Sequence, residues 1–343
     1  MIVYIVVLLI LYIRCFTLHH SADKRDRFYW IMPILLIGMA GLRYGPGSDF
    51  FGYLVNFEYS AGDVEYKSSF ELGFRALMDL IIALKGSFQC LIIITSFVTT
   101  FLIAKGIEKY SQHIELSIFL YVGLYFYFIS FNLIRQYIAV AIVFWGTKYL
   151  LKKNFKKYAI VIIIASLFHA TALVMIPFYF IAVNKISAKF KMFLGIFAFV
   201  GVVFFSQIQS IFLTIFPKYI IYVGYASGTA KCDLIMILLI MFLLQNIKSK
   251  AGNEFEWNLY MSTTVFALLF VMLSFSNVLL ARLGTYFYMY SIISVPYVLK
   301  HMRIKDRKFV QLGVCTLAFA ICIYYLVYNN AGVVPYSTVL GAL

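Results

Sequence analysis

Apolar runs of about 20 residues recur from one end of this sequence to the other, and a chain built that way folds stably only where hydrocarbon replaces water. They cover residues 1–18, 28–42, 88–104, 114–131, 136–151, 158–183, 192–216, 233–247, 257–276, 283–299 and 309–328. No water reaches backbone amides at that depth, so each run must close its own hydrogen bonds as helix. The rest of the 343 residues agrees: 63% are hydrophobic, 13% are charged, and no polar stretch is long enough to bury a core of its own. The fold class expected is all-α: a polytopic integral membrane protein, about ten transmembrane helices plus one re-entrant hairpin, forming a single domain over 1–343.

Basic loops set the orientation, because Lys and Arg are retained on the cytoplasmic side. Lys24, Arg25 and Arg27 place the first connection inside, which puts the N-terminus and the loop 43–87 outside. Lys105, Lys109 and the cluster Lys148, Lys152, Lys153, Lys156 and Lys157 then fall inside. Segment 158–183 is the exception, since Lys185, Lys189 and Lys191 follow it just as lysines precede it. A single crossing would export those three and, downstream, Lys300, Arg303, Lys305, Arg307 and Lys308 as well. A re-entrant hairpin at 158–183 restores every loop at once. Residues 71–84 are amphipathic and suited to lie along the outer interface.

Several functions are excluded early. Residues 2–13 are apolar without preceding basic residues or a small-residue cleavage site, so the first run is expected to stay as a helix. The five cysteines have neither metal-site nor redox spacing, so no metal and no cofactor is implied. A net charge of +15 resides in topology-setting loops that attract anionic lipid, not nucleic acid. Gly45-Pro46-Gly47 follows a membrane helix and lacks the context of a nucleotide loop. The 27 tyrosines and 35 phenylalanines fit lipid-facing and interfacial belts.

Against this background, Arg43, Arg135, Arg282 and His169 are misplaced. An arginine at bilayer depth costs roughly 2.5–3.5 kcal/mol on insertion scales, and such residues mark functional sites or snorkel to headgroups. The topology gathers Arg43, Asp49, Arg135, Arg282 and Tyr336 at the outer face, with His169 near the hairpin turn. Three cations and an imidazole imply an anionic substrate. Imidazole, with an ordinary pKa of about 6.5, suits a general base or a helix-packing hydrogen bond, and Asp49 either competes for the base role or caps a turn.

Gly41-Leu42-Arg43-Tyr44-Gly45-Pro46-Gly47-Ser48-Asp49-Phe50 with Tyr53 resembles the first outer loop of the EpsG-like, Wzy-type polysaccharide polymerases. So do Phe131-Asn132-Leu133-Ile134-Arg135-Gln136 and Leu167-Phe168-His169-Ala170-Thr171-Ala172-Leu173 ahead of Pro177. Arg282 with Tyr286 and Phe287, and Pro335-Tyr336, match more loosely. Ser48 stands where the family often has Thr, and Ala170 where a bulkier or polar residue is common.

The resemblance implies a glycosyltransferase of the bacterial inner (plasma) membrane, its site facing outward. It would move a growing glycan from undecaprenyl diphosphate to a sugar hydroxyl of a new lipid-linked repeat unit, as in O-antigen, lipopolysaccharide or exopolysaccharide biosynthesis. Its partners would be the lipid-linked donor and acceptor, membrane lipids and a chain-length regulator. Arg43, Arg135 and Arg282, with Tyr53 and Tyr336, would hold the diphosphate, for which a planar guanidinium fork is well matched. His169, Asp49 and Arg135 would carry the chemistry. A flippase for lipid-linked oligosaccharide, which should show paired broken segments, and a glycan-to-lipid ligase, which should show a large late outer loop, remain the alternatives.

Overall fold

The computed structural model describes residues 1–18, 27–62, 70–184, 230–248, 253–275 and 277–342, with isolated positions between 193 and 214. The apolar run 192–216 lies almost wholly outside the described residues, as do Lys24, Arg25, Lys185, Lys189 and Lys191. The helices are α1 (Ile2–Thr17), α2 (Ile31–Leu42), α3 (Phe50–Ala61), α4 (Leu72–Ala83), α5 (Phe88–Tyr110), α6 (Ile114–Gly123), α7 (Phe126–Asn132) and α8 (Ile134–Trp145). They continue as α9 (Thr147–Leu151), α10 (Phe155–Ser166), α11 (Met175–Val183), α12 (Ala230–Asn246), α13 (Glu254–Ser274), α14 (Val278–Tyr288), α15 (Ser291–His301) and α16 (Ile304–Val327). Two-residue strands, Ser337–Thr338 and Gly341–Ala342, pair in the tail.

Membrane helices gain nothing from exchanging lipid for one another by hydrophobicity alone, so close packing and polar contacts must hold them. α5 illustrates this. Its Thr95, Ser96, Thr99 and Thr100 are buried, Gly41 of α2 approaches Ile93, and a Cβ on Gly106 would sit 2.6 Å from the Phe144 ring of α8.

Three helices, α5, α13 and α16, are long and apolar enough to cross a bilayer, and five spans result if the bent pairs α6–α7 (49°) and α14–α15 (42°) each count as one. The described residues therefore do not establish the expected ten crossings. The physical reason lies in the backbone, because several apolar runs are interrupted. The run 114–131 breaks at Tyr125, a left-handed residue (φ 68°) whose hydroxyl donates to the Asn330 carbonyl at 2.7 Å.

Segment 158–183 folds as two arms. α10 ends at Ser166, the chain turns through Leu167–His169, and a 3₁₀ turn (Ala170–Val174) leads into α11. Phe155 meets Phe180 at 5.0 Å and Tyr158 meets Tyr179 at 5.4 Å between ring centroids, so the start of one arm lies beside the end of the other.

Within the expected outer loop 43–87 the described residues form two helices, α3 and α4. Phe50, Tyr53 and Phe57 of α3 and Phe74, Met78 and Ile81 of α4 form a second apolar cluster with Phe88, Leu91, Ile92, Ile134 and Ile138. This cap is braced by the tail: the amides of Gly47 and Ser48 donate to the carbonyls of Gly332 and Ala331, and that of Tyr44 to Ser337. Gly47 is required where it stands, because its φ is +114° and a Cβ would lie 2.7 Å from the Phe131 carbonyl oxygen.

Candidate functional site

Glu71, which the sequence offered only as the start of an amphipathic helix, joins two of the expected site residues. It occupies the position before α4 in extended conformation (ψ 152°) and makes no cap hydrogen bond, so its side chain is free to reach sideways. One carboxylate oxygen, Oε1, lies 2.9 Å from Nδ1 of His169 and also accepts from the Ala170 amide at 3.4 Å. The other, Oε2, accepts from Nη1 of Arg135. The hairpin turn is pinned to this place from a second side, since the Gly73 amide donates to the Leu167 carbonyl at 2.7 Å.

The electrostatics follow from position. Arg135 sits in the first turn of α8, where the helix dipole disfavours a cation, and the Glu71 charge offsets that cost. Its guanidinium also lies 4.4 Å from the centroid of the Phe70 ring. Burial alone would raise the Glu71 carboxyl, but the His169 hydrogen bond and the Arg135 charge outweigh it and hold the group down to about 2. Glu71 is thus an anion at any physiological pH. An anion at Nδ1 selects the tautomer protonated there and leaves Nε2 as the lone-pair nitrogen. That Nε2 has no hydrogen-bond partner among the described residues.

Asp49, Arg135 and Arg282 form the neighbouring part of the site. Asp49 precedes α3, and its side chain makes no cap hydrogen bond, although its amide donates to Asn132 Oδ1 at 2.8 Å. Its carboxyl is raised by burial, against the opposing pull of Arg282 and then Arg135. Both arginines are therefore within electrostatic reach of it. Gln136 links α8 to α14 by donating to the Arg282 carbonyl at 2.6 Å. Arg282 lines a cavity of about 330 Å³ whose walls include Asn132, Tyr137, Asp233 and Tyr288.

Tyr53 is buried against Arg135. Arg43 and Tyr336 stand apart from this group. Arg43 is 1% exposed, donates to the Ala40 carbonyl and to Ser96 Oγ (2.9 Å), and lies 4.6 Å from the Phe131 ring centroid. Tyr336 donates to the Met39 carbonyl at 3.0 Å and meets the Tyr4 ring at 5.4 Å. Neither lines the cavity.

Glu71 and Asp233 are the residues that sequence reasoning passed over. Asp233 carried a usable signal: it opens an apolar run, the same criterion that singled out the arginines. Glu71 carried none, because its partners are 64 and 98 residues away. Among the described residues no group of three or more His, Cys, Asp or Glu side chains could hold a metal ion. A family model described as the EpsG family matches residues 26–338. No curated protein and no solved structure matches the chain.

Proposed function

The chain belongs to the EpsG family, associated with membrane polysaccharide polymerisation, and from that premise we propose that it transfers a growing glycan from a polyprenyl diphosphate to a sugar hydroxyl of a second lipid-linked repeat unit. The observation that carries this is the Glu71 carboxylate shared between Arg135 and His169. In one displacement the acceptor oxygen attacks the anomeric carbon, the bond to the phosphate oxygen breaks, and its electron pair leaves on the diphosphate. The hydroxyl proton passes to Nε2 of His169, whose other nitrogen is held by Glu71. Arg135 and Arg282 neutralise the departing diphosphate, the electrostatic contribution that is commonly the largest in such reactions.

The local charges make the site more selective than three free cations would be. Arg135 is paired with Glu71, and Arg282 is opposed by Asp49, so two guanidinium groups face two carboxylates. Arg43, enclosed by α2, α5 and the Phe131 ring, serves as a positioning residue for the turn that carries Asp49. The hairpin 158–183 enters from and returns to the cytoplasmic side of the bacterial inner membrane, bringing His169 towards an outward-facing site. The donor is undecaprenyl diphosphate-linked, and a chain-length regulator acts beside the enzyme.

A transporter of lipid-linked saccharides is the second candidate, favoured by a specific feature: the bent pairs α6–α7 and α14–α15 both border the cavity, as broken helices do in transporters. Reconstitution separates the two. Proteoliposomes carrying purified lipid-linked repeat units should yield a ladder of longer glycans, lost in His169→Ala with the protein still inserted. Repeat units that cross the bilayer without lengthening would make the protein a transporter.

A further inference from the structure

The cavity beside Arg282 contains an acidic group that the transfer chemistry above does not use. Asp233 stands in the first turn of α12, where the helix dipole welcomes a carboxylate, and that placement alone assigns it nothing. The surrounding wall is more informative. Tyr137 and Tyr288 border the same cavity, and the Tyr325 hydroxyl lies 3.5 Å from Asp233 Oδ1. Tyr137 is 1% exposed, and its hydroxyl is buried without a hydrogen-bond partner among the described residues. Buried hydroxyls are nearly always satisfied, so an orphan in a cavity wall points to a visiting group that completes it.

The walls also define the visitor's chemistry. Phe126, Val271 and the tyrosine rings offer apolar faces, while Asp233, Asn132 and Arg282 supply polar groups at intervals between them. A sugar has that alternation: a C–H face that lies on a ring and hydroxyls that donate to a carboxylate. At about 330 Å³ the space is at the small end of ligand sites, sized for a short saccharide rather than a polymer. Charge orients it, because Asp233 repels a diphosphate that Arg282 attracts.

We propose that this cavity is a saccharide subsite in which Asp233 accepts hydroxyl hydrogens from a neutral sugar lying against Tyr137 and Tyr288, with the diphosphate-bearing end turned towards Arg282. The proposal rests on the chain taking a lipid-linked glycan, and deepens it by naming where the sugar is held.

The test uses full-length protein in detergent and a lipid-free repeat-unit oligosaccharide, released by mild acid from the host's lipid-linked pool, with binding followed by saturation-transfer NMR. Wild type and His169→Ala should bind alike. Asp233→Asn should weaken binding by about 10- to 100-fold, the loss expected for a charge-assisted hydrogen bond, and Tyr137→Phe, which removes only a hydroxyl, by about 3- to 10-fold. Sugar-free undecaprenyl phosphate should bind Asp233→Asn at least as tightly as wild type. Unchanged sugar binding in both variants, or no sugar binding by wild type, overturns the subsite; so does an equal loss of undecaprenyl phosphate binding. Sugar binding that depends on Asp233 in a protein that lengthens no glycan supports the subsite and removes the polymerase instead.

Discussion

Glu71→Gln tests the shared carboxylate with almost no change of shape. Glu71 accepts from Arg135 on one oxygen and from His169 on the other. Glutamine has one oxygen and one NH₂, so it can satisfy only one of them. The permanently charged guanidinium takes the oxygen, since charge-assisted hydrogen bonds are roughly twice as strong as neutral ones. The NH₂ then faces Nδ1 of His169 and forces the proton onto Nε2, which removes the lone pair that would receive the acceptor proton. Losing a general base costs about 100- to 10,000-fold in rate. Arg135, no longer opposed by a carboxylate, should meanwhile hold the diphosphate at least as well. The expected outcome is a kcat lower by about 100- to 10,000-fold with KM unchanged or reduced, read from initial rates of glycan lengthening in proteoliposomes. A raised KM at normal kcat would refute the base assignment and leave Glu71 a structural brace.

The same group gives a pH signature. Its folded-state pKa, near 2, lies below the ordinary carboxylate value of 4.5, so it contributes stability that is complete above about 4.5 and is lost as pH falls towards 2; the melting-temperature gap between wild type and Glu71→Gln should be flat above 4.5 and close below it. Arg43→Met should lower the melting temperature, because Ser96 and the Ala40 carbonyl lose a buried partner at about 1–3 kcal/mol each; a normal melt with lost polymer would return Arg43 to the diphosphate. Asp49→Asn should lower the KM for lipid-linked repeat units by about 2- to 5-fold, the effect of removing one opposing charge, and a 100-fold fall in kcat would make Asp49 the base instead. Single cysteines at Lys153 and Asn184, in a background without other cysteines, should both resist impermeant thiol reagents from outside intact cells, as the antiparallel arms require; labelling of the second alone would replace the hairpin with a crossing.

What the sequence made legible was whatever local composition controls. Apolar runs located the helices because hydrocarbon enforces internal backbone bonding. Lysines on both sides of 158–183 pointed to a re-entrant segment; the structure places Tyr158 beside Tyr179, and the side of the membrane to which both ends return is what the paired cysteines test. Breaks inside the runs were not legible: Tyr125 adopts a left-handed backbone through a contact with Asn330, about 200 residues later, and nothing near it in sequence records that. Helix α3 looked like loop because its buried face is completed by α4, α5 and α8, whereas the amphipathic pattern of 71–84 marked α4. The site divides along the same line. Arg135, His169 and Arg282 stood out as ionisable residues at or inside apolar runs and Asp49 through the loop it shares with Arg43, whereas Glu71 sits where an acidic residue is unremarked, and only tertiary contact brings it to Arg135 and His169. Arg43 was conspicuous for the same reason as the others, yet carbonyls and a ring enclose it.

The tail that braces Gly47 and Ser48 places a clock on biogenesis. Their amides are satisfied by carbonyls at Gly332 and Ala331, so the turn carrying Asp49 leaves the ribosome long before its support exists. At about 5–20 residues per second, the interval is on the order of 15–60 s. Throughout it, α3 and α4 can assemble on α5 while the turn ahead of them waits. A chain interrupted after α16 would hold each arginine and the histidine but not the brace, so an incomplete translation product would reach the membrane with the Gly47 and Ser48 amides lacking their tail partners.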